Sequence, residues 1–463
     1  MNRSIFGYPI CLFVVVLISF PALPSAAEIP CPPDAPTEKP FYQAALKFYL
    51  HTSVDLYKSS STTKPVADDQ VVHFMTGAEE NLLGLQHAPS LEMLERQGRK
   101  LVVQGGSDDP LVVYFLGMAI FRRNQPKEAE PFLCQAADAI MPNRYPANWR
   151  ARAAGDAFMV LKVNGKKKRM LKYRDLLATA VADIFKEHVF GSDRALLMRN
   201  LDVLTDDMPA GVIQKIVAAA QAVPDADPAA IDYLQGQEHI QAAWQDRGGD
   251  WADKVTARGW QGFAGELAQA RTALVQAWTL DPKIPEVATA MIHVAMGESN
   301  AAEMRTWFDR AAAARFDDSD AYEAYIWGIY PRWLGDRATL MAFADECAAT
   351  GRFDTDVPLH YVDILAIVRT ECDGNRMDAL TTPDIYDKAH NILEKTLGPD
   401  GAQSNSRLYR SAEVAYAVAA KRWKDAHQAM DQLGGGKLDA NATGSFGLTP
   451  QRVQAALDAH PGE

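Results

Sequence analysis

Apolar residues in this chain recur at intervals of three and four almost from end to end, and that periodicity constrains its fold more than any other feature. It runs through FYQAALKFYL (41–50), SLEMLERQGRKLVV (90–103), IQKIVAAAQAV (213–223) and ELAQARTALVQAW (266–278). Alanine is abundant along these stretches, which favours helix. Outside the first residues, no apolar alternation of strand type exceeds about five residues. Turn chemistry interrupts the periodic stretches every ~12–18 residues. The breaks are GGSDDP (105–110), MPNRYPAN (141–148), VPDADP (223–228), DRGGD (246–250) and LDPKIP (280–285). Helices this short, joined by turns this short, must fold back on one another. The pattern predicts an all-α array of antiparallel helix pairs.

Such a pattern calls for a search for internal repeats. In residues 110–142, Leu116 and Gly117 are followed by Ala129, Leu133 and Ala136, and Pro142 closes the unit. Small residues let two antiparallel helices approach closely, and the larger ones fill the space beyond. These offsets resemble the tetratricopeptide repeat. Ala270, Leu274, Ala277 and Pro282 stand at the matching offsets of a second unit, and Ala311, preceded by Phe308, follows Ala277 by 34 residues, the period of that repeat. Met304 and Ile292 depart from the pattern, because small residues are expected there. Trp423, Ala426 and Met430 are a weaker echo. The resemblance implies an α-solenoid of degenerate repeats.

The stretch from about 229 to 365 resembles, in addition, an uncharacterised bacterial family of helical domains. The likeness rests on the tryptophan and Arg-Gly spacing of AAWQDRGGDW (242–251) and of WGIYPRWLGDR (327–337). Leu334, Gly335 and Asp336 depart from the Gly-Gly-Ser usual in that family. The resemblance implies a helical fold and no activity.

The segment around Pro331 reads as a corner between two helices. Tyr322, Tyr325 and Ile329 share one face of a helix that Pro331 ends, by disfavouring the helical conformation at Tyr330 and removing a donor. Gly335 permits the turn, Asp336 caps the next helix, and Trp333 plugs the corner. The alternative is the rim of a site.

The first residues, MNRSIFGYPICLFVVVLISFPALPSAA, read as a secretory signal occupying 1–27. Arg3 is the only charge, residues 9–20 form an apolar run too short to span a bilayer comfortably, and Ser25 and Ala27 sit at the −3 and −1 positions of a cleavage site. Cleavage near Ala27 predicts export to the periplasm or the extracellular space. Removing one Arg and no acid takes the net charge from −12 to −13. This acidic balance argues against nucleic acid and anionic lipid as main partners. Cys31, Cys134, Cys347 and Cys372 then remain, too few for a disulfide framework and without metal-finger spacing. Cys347 and Cys372 stand at distant ends of consecutive helices. If one bridge forms, Cys31 with Cys134 is the expected pair. The remaining chain divides into an N-terminal helical region (28–222), a tryptophan-rich central domain (229–372) and C-terminal helices (373–463) with a glycine-rich loop at 434–447.

Motifs for chemistry are few. HExxH, GxSxG and GxGxxG after a strand do not occur. Gly434–Lys437 reads GGGK but lacks the first glycine of a phosphate loop and the Ser or Thr that should follow. Its reading is a flexible loop. Glu238 and His239 are adjacent and so diverge on a helix. His360 and Asp363, three apart, can share a face near Cys347, a weak metal candidate. The run Lys166–Arg169, with Lys172 and Arg174, reads as a solvated helix start, with an anion or acidic-partner patch as the alternative. No residue is assigned a catalytic, cofactor-binding or metal-ligating role, and no cofactor is expected.

Seven of the nine tryptophans lie between residues 244 and 333. Large aromatics fill gaps between degenerate repeats, and they also line grooves that grip extended peptides. The candidate partner-binding residues are Trp251, Trp333, Arg247, Arg332 and Tyr330. The expected function is an exported helical-repeat protein that binds a protein or peptide in the cell envelope. The alternatives are an enzyme assembled from scattered residues (His239, His360 and Asp363 being the best candidates) and a structural spacer.

Overall fold

The computed structural model describes residues 28–31, 35–60, 65–85, 88–105, 107–140, 144–398 and 406–461. The expected signal segment, 1–27, and Pro142 lie outside these residues. Every regular element among the described residues is helical. None of their helices is long and apolar enough to cross a membrane.

Two compact units are present. The first comprises Glu38–Val294, and the second Ala295–Glu463 with the described residues before Glu38. In the first unit, α1 (Glu38–Leu50) runs through a π-helical turn (His51–Asp55) into α2 (Leu56–Ser60). Then come α3 (Pro65–Leu82), α4 (Leu91–Arg99) with a second π-helical turn (Lys100–Gln104), α5 (Pro110–Arg122), α6 (Pro126–Ala139), α7 (Ala147–Val163) and α8 (Lys167–Lys186). The unit continues with α9 (Arg194–Thr205), α10 (Ala210–Gln221), α11 (Pro228–Arg247) and α12 (Ala257–Leu280), and the boundary between units falls within α13 (Pro285–Gly297). The second unit holds α14 (Ala301–Ala314), α15 (Ser319–Gly328), α16 (Arg337–Ala349), α17 (His360–Glu371), α18 (Pro383–Leu397), α19 (Ser406–Ala419), α20 (Trp423–Gln432), α21 (Ala440–Ser445) and α22 (Pro450–Ala459). Neighbouring helices pack as antiparallel pairs, foremost α5 with α6, α7 with α8, α11 with α12, α16 with α17 and α19 with α20. Both units are therefore arrays of neighbouring helix pairs.

Local chemistry starts these helices where the sequence implies. The Asp109 carboxylate accepts from the Leu111 amide at 2.9 Å and Pro110 occupies the first turn of α5. Asp227 and Pro228 repeat the device on α11. Each cap satisfies backbone donors that the helix itself leaves without partners. The two π-helical turns have no counterpart in the periodicity, which cannot register a single inserted residue.

Packing between partner helices follows the expected small-residue offsets. Leu116, Ala129, Leu133 and Ala136 are completely buried. Ala270, Leu274 and Ala277 are buried likewise in the α11–α12 pair, where a Cβ on Gly236 would come within 2.5 Å of Leu274. Met304, which like Ile292 departs from the pattern, is buried too. Its bulk is matched by Gly328 on α15, where any Cβ would overlap the Met304 sulfur. The departure at Met304 is thus compensated across the α14–α15 contact.

The Pro331 segment is a corner. Helix α15 ends at Gly328, and Asp336 accepts from the Thr339 amide at 2.7 Å to begin α16. Gly335 is required there because a Cβ would overlap the Ile329 carbonyl oxygen. Tyr322, Tyr325 and Ile329 are all buried. The four described cysteines are unbridged, so the conditional pairing of Cys31 with Cys134 is not formed.

Candidate functional site

Arg247 ends α11, and its guanidinium donates to the carbonyls of Gly248 and Asp250, both at 3.1 Å. Gly248, at φ 77°, turns the chain into the loop that leads to α12. Held in this way, the guanidinium lies 5.6 Å from the Trp244 ring and 5.3 Å from the Trp260 ring. Phe263 packs edge-on to both tryptophans. Trp251 and Trp260 are 40% and 39% exposed, large values for indoles. The tip of the α11–α12 hairpin in the first unit therefore presents an accessible Trp260 beside a fixed cation, with Trp251 exposed in the adjoining loop. Trp260 belongs to this patch as firmly as the expected Arg247 and Trp251. Its position on α12, one turn before Phe263, is what carries it there.

The other three candidate residues form a second patch, at the Pro331 corner of the second unit. Arg332 stacks over Trp327 at 4.9 Å and over Tyr330 at 5.1 Å, and its Nη2 donates to Glu371 at 2.5 Å. Trp327 lies 6.2 Å from Trp333. Trp327, Tyr330, Arg332 and Trp333 are all half-buried. Burial pushes the Tyr330 hydroxyl up to about 12. The cluster both plugs the corner and shows one edge to solvent, so the plug and the rim are the same residues.

The enzyme candidates do not converge. His239 meets Glu266 of α12 at 2.7 Å in the first unit. His360 stands 3.4 Å from Asp363 and stacks on Tyr322 in the second. Cys347 is fully buried, and burial holds its thiol well above the usual range. Among the described residues, no three His, Cys, Asp or Glu side chains are grouped to hold a metal ion. The basic run at the start of α8 pairs with acids of α6. Arg169 bonds Glu130 and Lys172 bonds Asp138 at 2.6 Å. Lys437 is held through its carbonyl by Arg407, in a loop where Gly434 and Gly435 both have positive φ.

The sequence reading missed a cluster of charged and polar side chains in the first unit around α7, in which Glu79, Asn148 and Asn200 are buried and Arg152 and Asp156 half-buried. Asn148, Arg152 and Asp156 stand four residues apart and so share one stripe of that helix. The Arg152 guanidinium lies 4.9 Å from the Tyr49 ring and 5.9 Å from the Trp149 ring, and Nη2 donates to the Tyr49 hydroxyl at 3.4 Å. Asn200 of α9 donates to the same hydroxyl at 3.4 Å. Asp156 accepts from the Tyr114 hydroxyl of α5 at 2.7 Å. From α3, Glu79 reaches Ser53 in the first π-helical turn at 2.8 Å. The Ser53 hydroxyl lies equally close to the Tyr49 carbonyl, so its one proton is shared between the two acceptors. Burial pushes the Glu79 carboxyl up to about 8, against the opposing pull of Ser53 and Arg152. Asp156 is pushed up by burial to about 6, against Tyr114, Arg152 and Arg122. The signals available in the sequence were the Asn148–Arg152–Asp156 spacing on an otherwise alanine-rich helix.

No family model matches this chain, and no curated protein matches it. Among solved structures it is similar to one described as the structure of Naa15/Naa10 bound to HypK-THB. The identity is 11% and the TM-score 0.18, and the alignment covers 91% of this chain and 83% of that chain. A likeness of that size carries nothing about site or partner. The helix-pair architecture stands on the packing of this chain's own helices.

Proposed function

We propose that this chain is an exported helical-repeat protein whose role is to bind a protein or peptide partner in the cell envelope. The observation that carries the reading is the tip of α11–α12, where Arg247, fixed by two backbone carbonyls, sits between indoles while Trp251 and Trp260 remain accessible. Exposed indoles beside a positioned guanidinium supply area, cation–π attraction and donors at small entropic loss. The Arg332–Trp327–Tyr330–Trp333 edge of the second unit is of the same chemistry. The signal-like residues 1–27 support export. The resemblance of residues 229–365 to a bacterial helical family is part of this reading and adds no activity to it.

Affinity capture from a periplasmic extract, with the chain beginning at Glu28, tests this. A partner retained by that chain and lost from the Trp251→Ser/Trp260→Ser variant supports the reading. Capture that is identical with both proteins removes the hairpin tip from it. Full-length protein with an intact Met1 in the cytosol removes export.

A further inference from the structure

Two adjoining grooves of the first unit are positive in a chain whose net charge is −12. The first, of about 850 Å³, runs along α4 from Ser90 to Gln104 and takes in Arg123 beyond the end of α5. The second, of about 370 Å³, lies between the start of α6, Asn164 and the start of α8. The first turn of α6 joins them, because Lys127 lines the second groove while Glu128 receives Arg99 of the first at 2.5 Å. Seven cations and three carboxylates line the two grooves, so their walls are positive on balance.

The paired groups form a fixed floor. Glu95 holds Arg99 and Arg123, and Glu130 accepts from Asn164 at 2.8 Å and from Arg169. Glu95, Glu128 and Glu130 are thereby occupied. Arg96, Lys100, Lys127, Lys166, Lys167 and Lys168 remain exposed, and none of the six makes an ion pair among the described residues. Helix α8 starts with Lys167, Lys168 and Arg169, has no acid in its first turn and no side-chain cap. Cations there oppose the positive end of the helix macrodipole, a conflict that an anionic partner relieves.

Apolar surface accompanies this charge. Met93 lines the first groove three residues before Arg96 and is exposed, as are Val163 and Leu171 on either side of the Lys166–Arg169 run. Among the described residues no aromatic ring lines either groove, so nucleic-acid bases would have nothing to stack on. Neighbouring helices lie about 8–10 Å apart, so the edge from α4 across α6 to α8 is about 20 Å long. That is the reach of about six residues of extended peptide, far more than one small anion fills.

We propose that this edge binds an acidic segment of a partner protein, with its carboxylates on the unpaired cations and its apolar side chains against Met93 and Leu171. Lysine ammonium groups on flexible stems adapt to carboxylates at several positions along an open edge. The edge adds to the partner-binding reading a second surface that shares no residue with the hairpin tip, and either surface can fail alone.

Fluorescence anisotropy of a labelled peptide of three Asp-Glu-Leu repeats, titrated with the purified chain beginning at Glu28, tests it. Saturable binding is expected, weaker as salt is raised. Arg96→Gln/Lys100→Gln and Lys166→Gln/Lys167→Gln/Lys168→Gln should each weaken it about fivefold, the order of two or three lost exposed ion pairs. The five side chains are exposed and unpaired, so both variants should melt with the parent. Lys424→Gln/Lys437→Gln, at two exposed positions of the second unit, should leave binding unchanged. The capture experiment with Trp251→Ser/Trp260→Ser reports on the hairpin tip and this titration on the α4–α8 edge, so each surface is judged separately. The proposal is overturned by the absence of saturable binding, by unchanged binding in either groove variant, or by an equal loss in the second-unit variant. It is overturned as well by tighter binding of a single-stranded oligonucleotide or of anionic phospholipid vesicles than of the peptide. Self-association in sedimentation that the groove variants abolish would also overturn it, making a second copy of this chain the occupant.

Discussion

Gly117 of α5 and Leu133 of α6 approach so closely that no side chain fits at position 117. A Cβ there would lie 2.8 Å from Leu133 Cδ2 and 3.2 Å from the Leu133 backbone nitrogen. A side-chain atom can swing away, but a backbone nitrogen inside a helix cannot. Gly117→Ala should therefore destabilise the first unit by ~1–3 kcal/mol, despite the gain in helix propensity that alanine brings. Urea denaturation of the variant measures this. Stabilisation would mean that α5 and α6 are farther apart than the repeat packing requires.

The three tryptophans Trp307, Trp333 and Trp251 should give graded losses on truncation. Trp307 is 3% exposed on α14, Trp333 half-buried at the corner, and Trp251 40% exposed in its loop. Trp307→Ala should cost ~3–5 kcal/mol, Trp333→Ala less, and Trp251→Ala least. Thermal melts of the three variants rank them. A Trp251→Ala loss as large as that of Trp307→Ala would make the loop indole a core residue and remove the leading element of the proposed partner surface.

Stability should depend on pH through Glu79. Its carboxyl is raised from 4.5 to about 8 in the folded chain, so the folded state holds the proton more tightly than the unfolded one. The resulting stabilisation is fully present below about pH 4.5 and is lost as the pH rises through about 8, a change of about 3–5 kcal/mol for a group so enclosed. Glu79→Gln keeps the neutral shape and cannot ionise. Its denaturation midpoint should fall less steeply than that of the parent between these limits. Parallel slopes would show that Glu79 is ionised in the fold.

In the second unit, Arg410 and Glu413 form an enclosed pair at 2.6 Å, with Glu394 at 3.0 Å from the same guanidinium and His390 3.2 Å from Glu413. The Glu413 contact raises the His390 imidazole above the ordinary histidine value. Glu413→Gln should cost ~1–3 kcal/mol by replacing the enclosed charged contact to Arg410 with a neutral one, Glu394 remaining as the other acid. It should also bring His390 back toward that ordinary value in an NMR titration of its ring protons. An unmoved His390 would reject Glu413 as the source of the shift.

How far the chain explains itself differs between its helices and its sites. The periods of three and four, the Asp–Pro starts at 109–110 and 227–228, and the small residues at 117, 129 and 136 are local or nearly local signals. Each acts over one turn or one helix pair, so the all-α class and the α5–α6 contact could be read directly, whereas α15 stops at Gly328, two residues before the end that Pro331 alone implies. Pro331, Gly335 and Asp336 likewise specify their corner within six residues, because backbone sterics and a cap decide it. The compensation of Met304 by Gly328 needed the fold, since it joins two helices whose spacing no single period records. So did the Arg152 centre. Its members come from α1, α3, α5, α7 and α9, and the side chains of Glu79 and Asn200 are ordinary polar residues until tertiary packing takes them out of water. Sequence alone determined that the segments coil and how several of them begin, because those choices depend on neighbours along the chain. Only the tertiary structure decided which polar groups meet and which of them leave water, because desolvation depends on everything that packs around a group, whatever its distance in sequence.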